Sequence, residues 1–267
     1  MIPAAESTGP RVSIVVVSQH QSQLLLPTLR ALAARDEPFL SEVIVVDCGS
    51  QDGSARLDEE FEGITMLRLP RNFGLTRAVN IATRSAKGEY LFLLPNGCQI
   101  EPDTIQRMLA AIEVNPNAGA VTVAGDLYAL PKAGESALRK VSASEAEYPF
   151  DQPVLFPRVS LVSMNYLPDK YGQFYGDAEL FQKMRSAGKR LLVLEDMRLK
   201  RDMAPMELID DELAEADRVN GLSTFYSKNY GFGSGLSFWL GQSAKALFGL
   251  RLGLAGKLLT GTKVDGL

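Results

Sequence analysis

Short, continuous apolar runs alternate along the chain with longer stretches of helix-forming residues. Val12 to Val17 is β-branched and almost wholly apolar, a first buried strand that ends in the polar run Ser18-Gln-His-Gln-Ser22. Leu24 to Ala34 carries helix formers, with Pro27 early, where a first turn tolerates it. Val43 to Val46 predicts a second strand, which runs into the turn-rich loop Asp47 to Ser54 and a helix over Ala55 to Phe61. Ile64 to Leu69 predicts a third strand, Leu75 to Ser85 a helix, and Tyr90 to Leu94 a fourth strand bounded by Gly88 and Pro95. Pro102 to Val114 predicts a helix with Glu101, Pro102 and Asp103 at its start, and Ala118 to Val123 a fifth strand.

From Gly125 to Pro157 the periodicity fades into a polar, proline-containing segment, long enough for a functional loop or lid. Regularity returns at Val159 to Val162. Leu167 to Leu180 reads as a loop entering a helix that runs to about Ala187, ended by Gly188; Arg190 to Leu194 predicts another strand. Glu207 to Arg218 predicts an acidic helix, and Phe225 to Leu259 a basic, glycine-spaced tail. Strands alternating with helices predict βαβ units: an α/β fold with a mostly parallel central sheet and right-handed crossovers. Strands this apolar need cover on both faces. Ligands of such folds bind beyond the carboxyl ends of the strands, which puts Asn96, Gly97 and Cys98 on the floor of a site.

The length of 267 residues allows one large α/β domain or a domain with a C-terminal appendage. Only two cysteines, Cys48 and Cys98, argue against a disulfide-built secreted scaffold. Met1 to Pro10 lacks the basic start and apolar core of a secretory signal, and no uncharged apolar run reaches spanning length, so a cytoplasmic protein is expected. The charge is uneven. Residues 1–217 hold 22 Lys/Arg and 31 Asp/Glu, whereas residues 218–264 hold six Lys/Arg and no acid. That division predicts a main domain over 1–217 and a basic, apolar helical tail over 218–267 that meets something anionic. An acidic main body argues against nucleic acid as a partner.

Within the tail, Lys245, Arg251 and Lys257 are spaced six apart, which spreads their charges around a single straight helix and leaves no clean polar face. If Gly249, Gly253 or Gly256 breaks the run, two shorter helices can lie on a membrane surface through residues 236–260, making the protein peripheral on the inner face of the cell membrane. The alternative is packing onto the protein's own body or a homodimer partner.

Five stretches together resemble the inverting, nucleotide-sugar-dependent glycosyltransferases of family 2 with the GT-A fold, particularly bacterial rhamnosyltransferase-like members. Val12 to Val17 matches the family's first strand, and Val46-Asp-Cys-Gly-Ser-Gln-Asp-Gly-Ser54 its Val-Asp-Asp-Gly-Ser turn. Asn72-x-Gly74 with Asn80 fits the Asn-x-Gly…Asn element, Ala86 to Leu93 the Ala-x-Gly-Glu-Tyr strand, and Phe174-Tyr-Gly-Asp-Ala-Glu-Leu180 with Ala187-Gly188 the Glu-Asp-x-Asp-Leu…Ala-Gly segment. The match runs from about residue 11 to 201. It implies transfer of a sugar from a nucleoside-diphosphate donor to a hydroxyl of a glycan or lipid-linked acceptor in polysaccharide or cell-envelope synthesis.

The resemblance assigns roles residue by residue. Ser18, His20 and Asp47 would hold the nucleoside, with Asp47 accepting from base or ribose and His20 a candidate for stacking; Asp47 tying down its own glycine turn is the alternative. Asn72, Gly74 and Arg77 belong to the donor side. Asp177 would be the general base for the acceptor hydroxyl, although after Gly176 and before a helix it is also a good N-cap. Glu179, four before Lys183, reads as half of an ordinary helix-surface pair.

The pattern breaks where the family holds Mn2+ or Mg2+. Gly97 stands where the metal-binding aspartate would fall, and Arg201, beside Lys200, where a histidine ligand often follows. Hard cations need oxygen ligands, so the usual metal site is lost. Two readings follow. Asn96, Arg201 and Lys200 or Arg77 neutralise the diphosphate in place of a metal, or the domain is a catalytically inactive glycosyltransferase-like binding or scaffold protein.

Overall fold

The computed structural model describes residues 9–34, 41–202 and 210–265. Strands β1 (Val12–Ser18), β2 (Ser41–Cys48) and β3 (Ile64–Leu69) run parallel, and β4 (Tyr90–Leu93) pairs parallel with the other side of β1. Helix α1 (Ser22–Ala33) connects β1 to β2, and α2 (Gly74–Ser85) connects β3 to β4. The expected helix over 55–61 is a 3-10 turn, Ser54–Glu59. After β4 come the short β5 (Cys98–Gln99), α3 (Thr104–Val114) and β6 (Ala118–Val123).

The segment that sequence periodicity left without structure hides a central strand. There β7 (Val154–Pro157) lies antiparallel between β4 and β6. Its buried run is only Val154, Leu155 and Phe156 between Pro153 and Pro157, too short to announce itself. Arg158–Val162 forms α4, Ala178–Ser186 forms α5, and Arg190–Leu194 forms β8, parallel to β6. The seven-stranded order is β3-β2-β1-β4-β7-β6-β8. A separate two-stranded ribbon joins β5 to β9 (Lys200–Arg201).

The sheet is covered on both faces, and the period of two along β1 divides its residues between two cores. Ile14 and Val16 pack in one with Leu25 and Leu29 of α1 and Met108 of α3; Val15 belongs to the other with Val79 of α2 and Phe181 of α5. Truncating Leu29, fully buried, to alanine would cost about 2–5 kcal/mol.

Helix α6 (Asp211–Tyr230) is capped by Asp210, whose carboxylate accepts the Leu213 N–H at 2.7 Å. It begins near the expected acidic helix, whose residues 207–209 lie outside the described residues, and continues unbroken through position 217/218. Leu222, Phe225 and Tyr226 of α6 lie in the same core as Phe238 of α7 (Phe232–Phe248) and Leu254 and Leu258 of α8 (Leu252–Leu259). The tail breaks at Gly249, followed by Leu250 in the left-handed region at φ 56°. One side of the tail therefore packs on the protein's own body. Phe232, Leu236, Leu240, Leu247, Phe248, Leu250, Leu252 and Leu259 stay exposed on the other, Phe248 at 90% and Leu250 at 82%. No helix among the described residues is long and apolar enough to cross a membrane.

Candidate functional site

A cavity of about 350 Å3 opens at the carboxyl ends of β1 and β4. Its interior is apolar, with Val15, Val79, Leu93 and Phe156 among its walls, and its polar lining includes Asn96, Asp151, Asp177, Arg201, Asp202 and Arg218. Three of the sequence-derived site residues, Asn96, Asp177 and Arg201, thus meet in one place.

Asp177 stands at the N-cap position of α5, yet its side chain makes no cap bond. Its Oδ1 instead accepts the phenol O–H of Tyr148 at 2.7 Å. Burial raises the Asp177 carboxyl above the ordinary aspartate range, and the Tyr148 hydrogen bond opposes that rise. Gly176 has a steric reason: a Cβ there would meet Thr76 Oγ1 at 2.3 Å. Glu179 is not paired with Lys183 as its spacing suggested. It is buried and accepts from Tyr171 Oη at 2.5 Å and from Lys228 Nζ of α6 at 2.6 Å.

Arg201 reaches the cavity because β9 pairs antiparallel with β5, in the register Cys98 to Arg201 and Gln99 to Lys200. Its guanidinium donates to Asp151, at 2.5 Å to the carbonyl oxygen and 2.7 Å to Oδ2, while its buried Nε has no acceptor among the described residues. Lys200 is exposed on the ribbon and does not line the cavity. Cys98 in the same ribbon and Cys48 at the end of β2 are both free and buried, and burial pushes both thiols up to about 12.

The metal implied by the fold family does not fit these residues. Gly97 has φ 87°, and a Cβ there would lie 2.2 Å from the Asp202 carbonyl oxygen, so the backbone as built refuses an aspartate. The neighbouring carboxylates are already engaged, Asp151 by Arg201 and Asp202 by Gln99 Nε2 at 3.0 Å. Among the described residues no three His, Cys, Asp or Glu side chains gather as a ligand set.

The residues expected to hold the nucleoside lie beside the cavity rather than in its lining. Asp47 Oδ2 accepts the Ser50 N–H at 3.0 Å, the turn-closing bond its sequence context allowed. His20, in the left-handed region at φ 54°, accepts the Gln51 N–H on Nε2 at 2.9 Å. Asn72 Oδ1 accepts the Gly74 N–H at 2.9 Å, and Gly74 packs against the backbone of Gly172 and Val264. Arg77 pairs with Asp265 and stacks over Phe73, away from the cavity lining. These bonds satisfy only one side of each group. Nine buried side-chain polar atoms among the described residues lack a hydrogen-bond partner, and six belong to site residues: Ser18 Oγ, His20 Nδ1, Asp47 Oδ1, Asn72 Nδ2, Asn96 Oδ1 and Arg201 Nε. Buried polar atoms are ordinarily paired, so these six stand out as exceptions among the expected site residues.

Sequence reasoning missed Tyr148, Asp151, Asp202 and Arg218. The first two lie in the stretch where periodicity fails, and only the pairing of β7 with β4 brings that stretch over the site.

Residues 13–129 match the model of glycosyl transferase family 2. Over that stretch the chain is similar to the glycosyltransferases of family 2. The fold agrees: the mannosyltransferase of Pyrobaculum calidifontis, solved with GDP-Man and Mn2+, superposes with a TM-score of 0.61 at 17% identity, covering 94% of this chain and 86% of that one. S. aureus TarS 1-349 in complex with UDP-GlcNAc superposes with a TM-score of 0.59 at 17% identity, covering 81% and 66%. This is the GT-A fold. Among curated relatives, an undecaprenyl-phosphate 4-deoxy-4-formamido-L-arabinose transferase of Aeromonas hydrophila is 32% identical over 113 residues, 39% of this chain and 35% of that protein. A poly-beta-1,6-N-acetyl-D-glucosamine synthase of Staphylococcus epidermidis is 27% identical over 114 residues, 42% and 27%. The aligned parts span only 23–36% of the length of these and the other leading curated relatives.

Proposed function

We propose that this domain binds a nucleoside-diphosphate sugar and transfers the sugar, with inversion, to a hydroxyl of a glycan or lipid-linked acceptor, using basic side chains rather than a divalent metal at the diphosphate. The observation that carries this reading is the set of unpaired buried atoms. They fall on Ser18, His20, Asp47, Asn72, Asn96 and Arg201, the residues that family resemblance assigns to the donor. Asp177 takes the acceptor's hydroxyl proton as that oxygen bonds to the anomeric carbon. The bond from that carbon to the diphosphate breaks, and its electron pair leaves with the nucleoside diphosphate. A single carboxylate suffices for this in-line displacement. Arg201 Nε faces no acceptor and supplies a charge-assisted donor to the leaving phosphate.

The exposed apolar row from Phe232 to Leu259 supports a membrane-surface role for the tail, on a hydrophobic rather than electrostatic footing. Arg251 is paired with Glu215 at 2.7 Å and Lys257 with Glu212 at 3.2 Å, which spends two of the three charges once read as lipid contacts. The refusal of an acid at Gly97 favours a second reading, a binding domain without catalysis.

Titration calorimetry of UDP, GDP and dTDP in EDTA tests the donor site. One of the three binds, and Arg201→Gln weakens it about tenfold or more, as expected for a lost charge-assisted bond. Equal affinity in Arg201→Gln and Asn72→Ala would remove the donor site from this place.

A further inference from the structure

We infer that Tyr148 is a positioning residue for Asp177: its phenol fixes the carboxylate toward the cavity and stabilises its charged form through a hydrogen bond. The inference rests on the general-base reading of Asp177 given above and adds a residue outside the five stretches that carry the family resemblance.

Tyr148 has little freedom to do otherwise. Its N–H donates to the Tyr128 carbonyl at 2.9 Å, and the Tyr128 N–H donates back to the Tyr148 carbonyl at 3.2 Å, which pins the backbone of the β6–β7 connection. Its ring is wholly buried between Phe150, with centroids 5.8 Å apart, and Phe181 of α5, 5.7 Å apart. Phe181 lies one turn along α5 from Asp177, so ring and carboxylate are set by the same helix. The 2.7 Å bond to Oδ1 is then, among the described residues, the one hydrogen bond of a phenol in an apolar slot. Burial and the adjacent Asp177 push the phenol well above its ordinary value, so it remains a donor across the working range of a carboxylate base. Asp177 makes no cap bond and has a side-chain partner on only one of its two oxygens.

The charges around Asp177 make this donor matter. Asp151 of the same connection raises the Asp177 carboxyl electrostatically. The other charged groups lining the cavity are Arg218 of α6, which stacks over Phe174, Arg201 of β9, which is bound to Asp151, and Asp202, which is held by Gln99. Tyr175 of the preceding loop is itself pushed up to about 12 by burial. Among the described residues, Tyr148 is the only side chain that donates a hydrogen bond to the Asp177 carboxylate.

The test is Tyr148→Phe, which keeps the ring and removes only the hydroxyl. Carbon-13 titration of the aspartate carboxyls, with the Asp177 signal assigned by its absence in Asp177→Asn, should show Asp177 titrating about one pH unit higher in the variant. The acid limb of the pH–rate profile for sugar transfer should rise by the same amount, giving about a tenfold loss of kcat below the limb with the donor KM unchanged. An Asp177 titration that superposes on the wild type overturns the inference. So does a shifted titration with an unshifted rate profile, because the phenol would then touch a carboxylate that does no work. Full activity in Asp177→Asn would overturn the general-base reading itself, and it is read on a different protein from the titration.

Discussion

Asp177 is held at a cost. Its carboxyl is raised by burial, so the folded state binds its proton more tightly than the unfolded chain does. Stability from this group is fully present below the ordinary aspartate value and is lost as pH rises through the higher folded value. Asp177→Asn removes a charge the fold does not want. It should therefore raise the melting temperature at pH 7, with the gain vanishing in acid, while transfer falls by about 10²–10⁴. Melting curves at both pH values read the first effect and initial rates the second. A melting gain that persists unchanged in acid would contradict the burial argument. Arg201 presents the complementary case, since its guanidinium already holds an anion, the Asp151 carboxylate at 2.7 Å. A diphosphate entering the cavity competes with that carboxylate, so Asp151→Asn should tighten nucleoside diphosphate binding several-fold. Weaker binding in Asp151→Asn would mean that Asp151 orients Arg201 rather than competing for it.

At the scale of elements, the β5–β9 ribbon decides what chemistry the strand end can support. Restoring the family's acid as Gly97→Asp places a side chain at φ 87° and a Cβ 2.2 Å from the Asp202 carbonyl. That substitution should cost about 1–3 kcal/mol of stability and create no Mn2+ site. A stable variant that binds Mn2+ by calorimetry would show that the ribbon yields. The α7–α8 corner is strained in the opposite sense. Leu250 holds a left-handed backbone while its side chain stands in solvent, so Leu250→Gly should stabilise the fold by about 1 kcal/mol. If the corner meets lipid through apolar burial, Phe248→Ser with Leu250→Ser should abolish flotation with phosphatidylcholine vesicles, whereas 0.5 M salt leaves the wild type bound. Binding that salt removes would return the contact to the basic residues.

Across the whole molecule, the parts visible in sequence are those with a local cause. Ile64–Leu69, Ala118–Val123 and Arg190–Leu194 form strands at the positions their apolar runs predict. Asn96 and Asp177 reach the cavity beside elements that the pattern located, whereas Arg201 reaches it through the β5–β9 ribbon, which no apolar run announced. What escaped depends on pairing between distant segments. The inserted strand β7 carries Tyr148 and Asp151 over the site through its antiparallel pairing with β4, and no local pattern encodes that approach. The partner of Glu179 was missed for the same reason, since Lys228 lies 49 residues away on α6. The tail's charges likewise looked free until Glu212 and Glu215 supplied their partners.

The central claim is the proposal that this domain transfers sugar with Arg201, not a metal, at the leaving diphosphate. The direct measurement is turnover of a panel of UDP-, GDP- and dTDP-sugars by the purified protein with membrane extract, run in parallel with added Mn2+ and with EDTA. The account predicts nucleotide release from one donor at a rate that EDTA leaves unchanged and that Arg201→Gln reduces by about tenfold or more. Release that requires Mn2+ would contradict the basic-residue mechanism, and no release from any donor in either condition would contradict catalysis altogether.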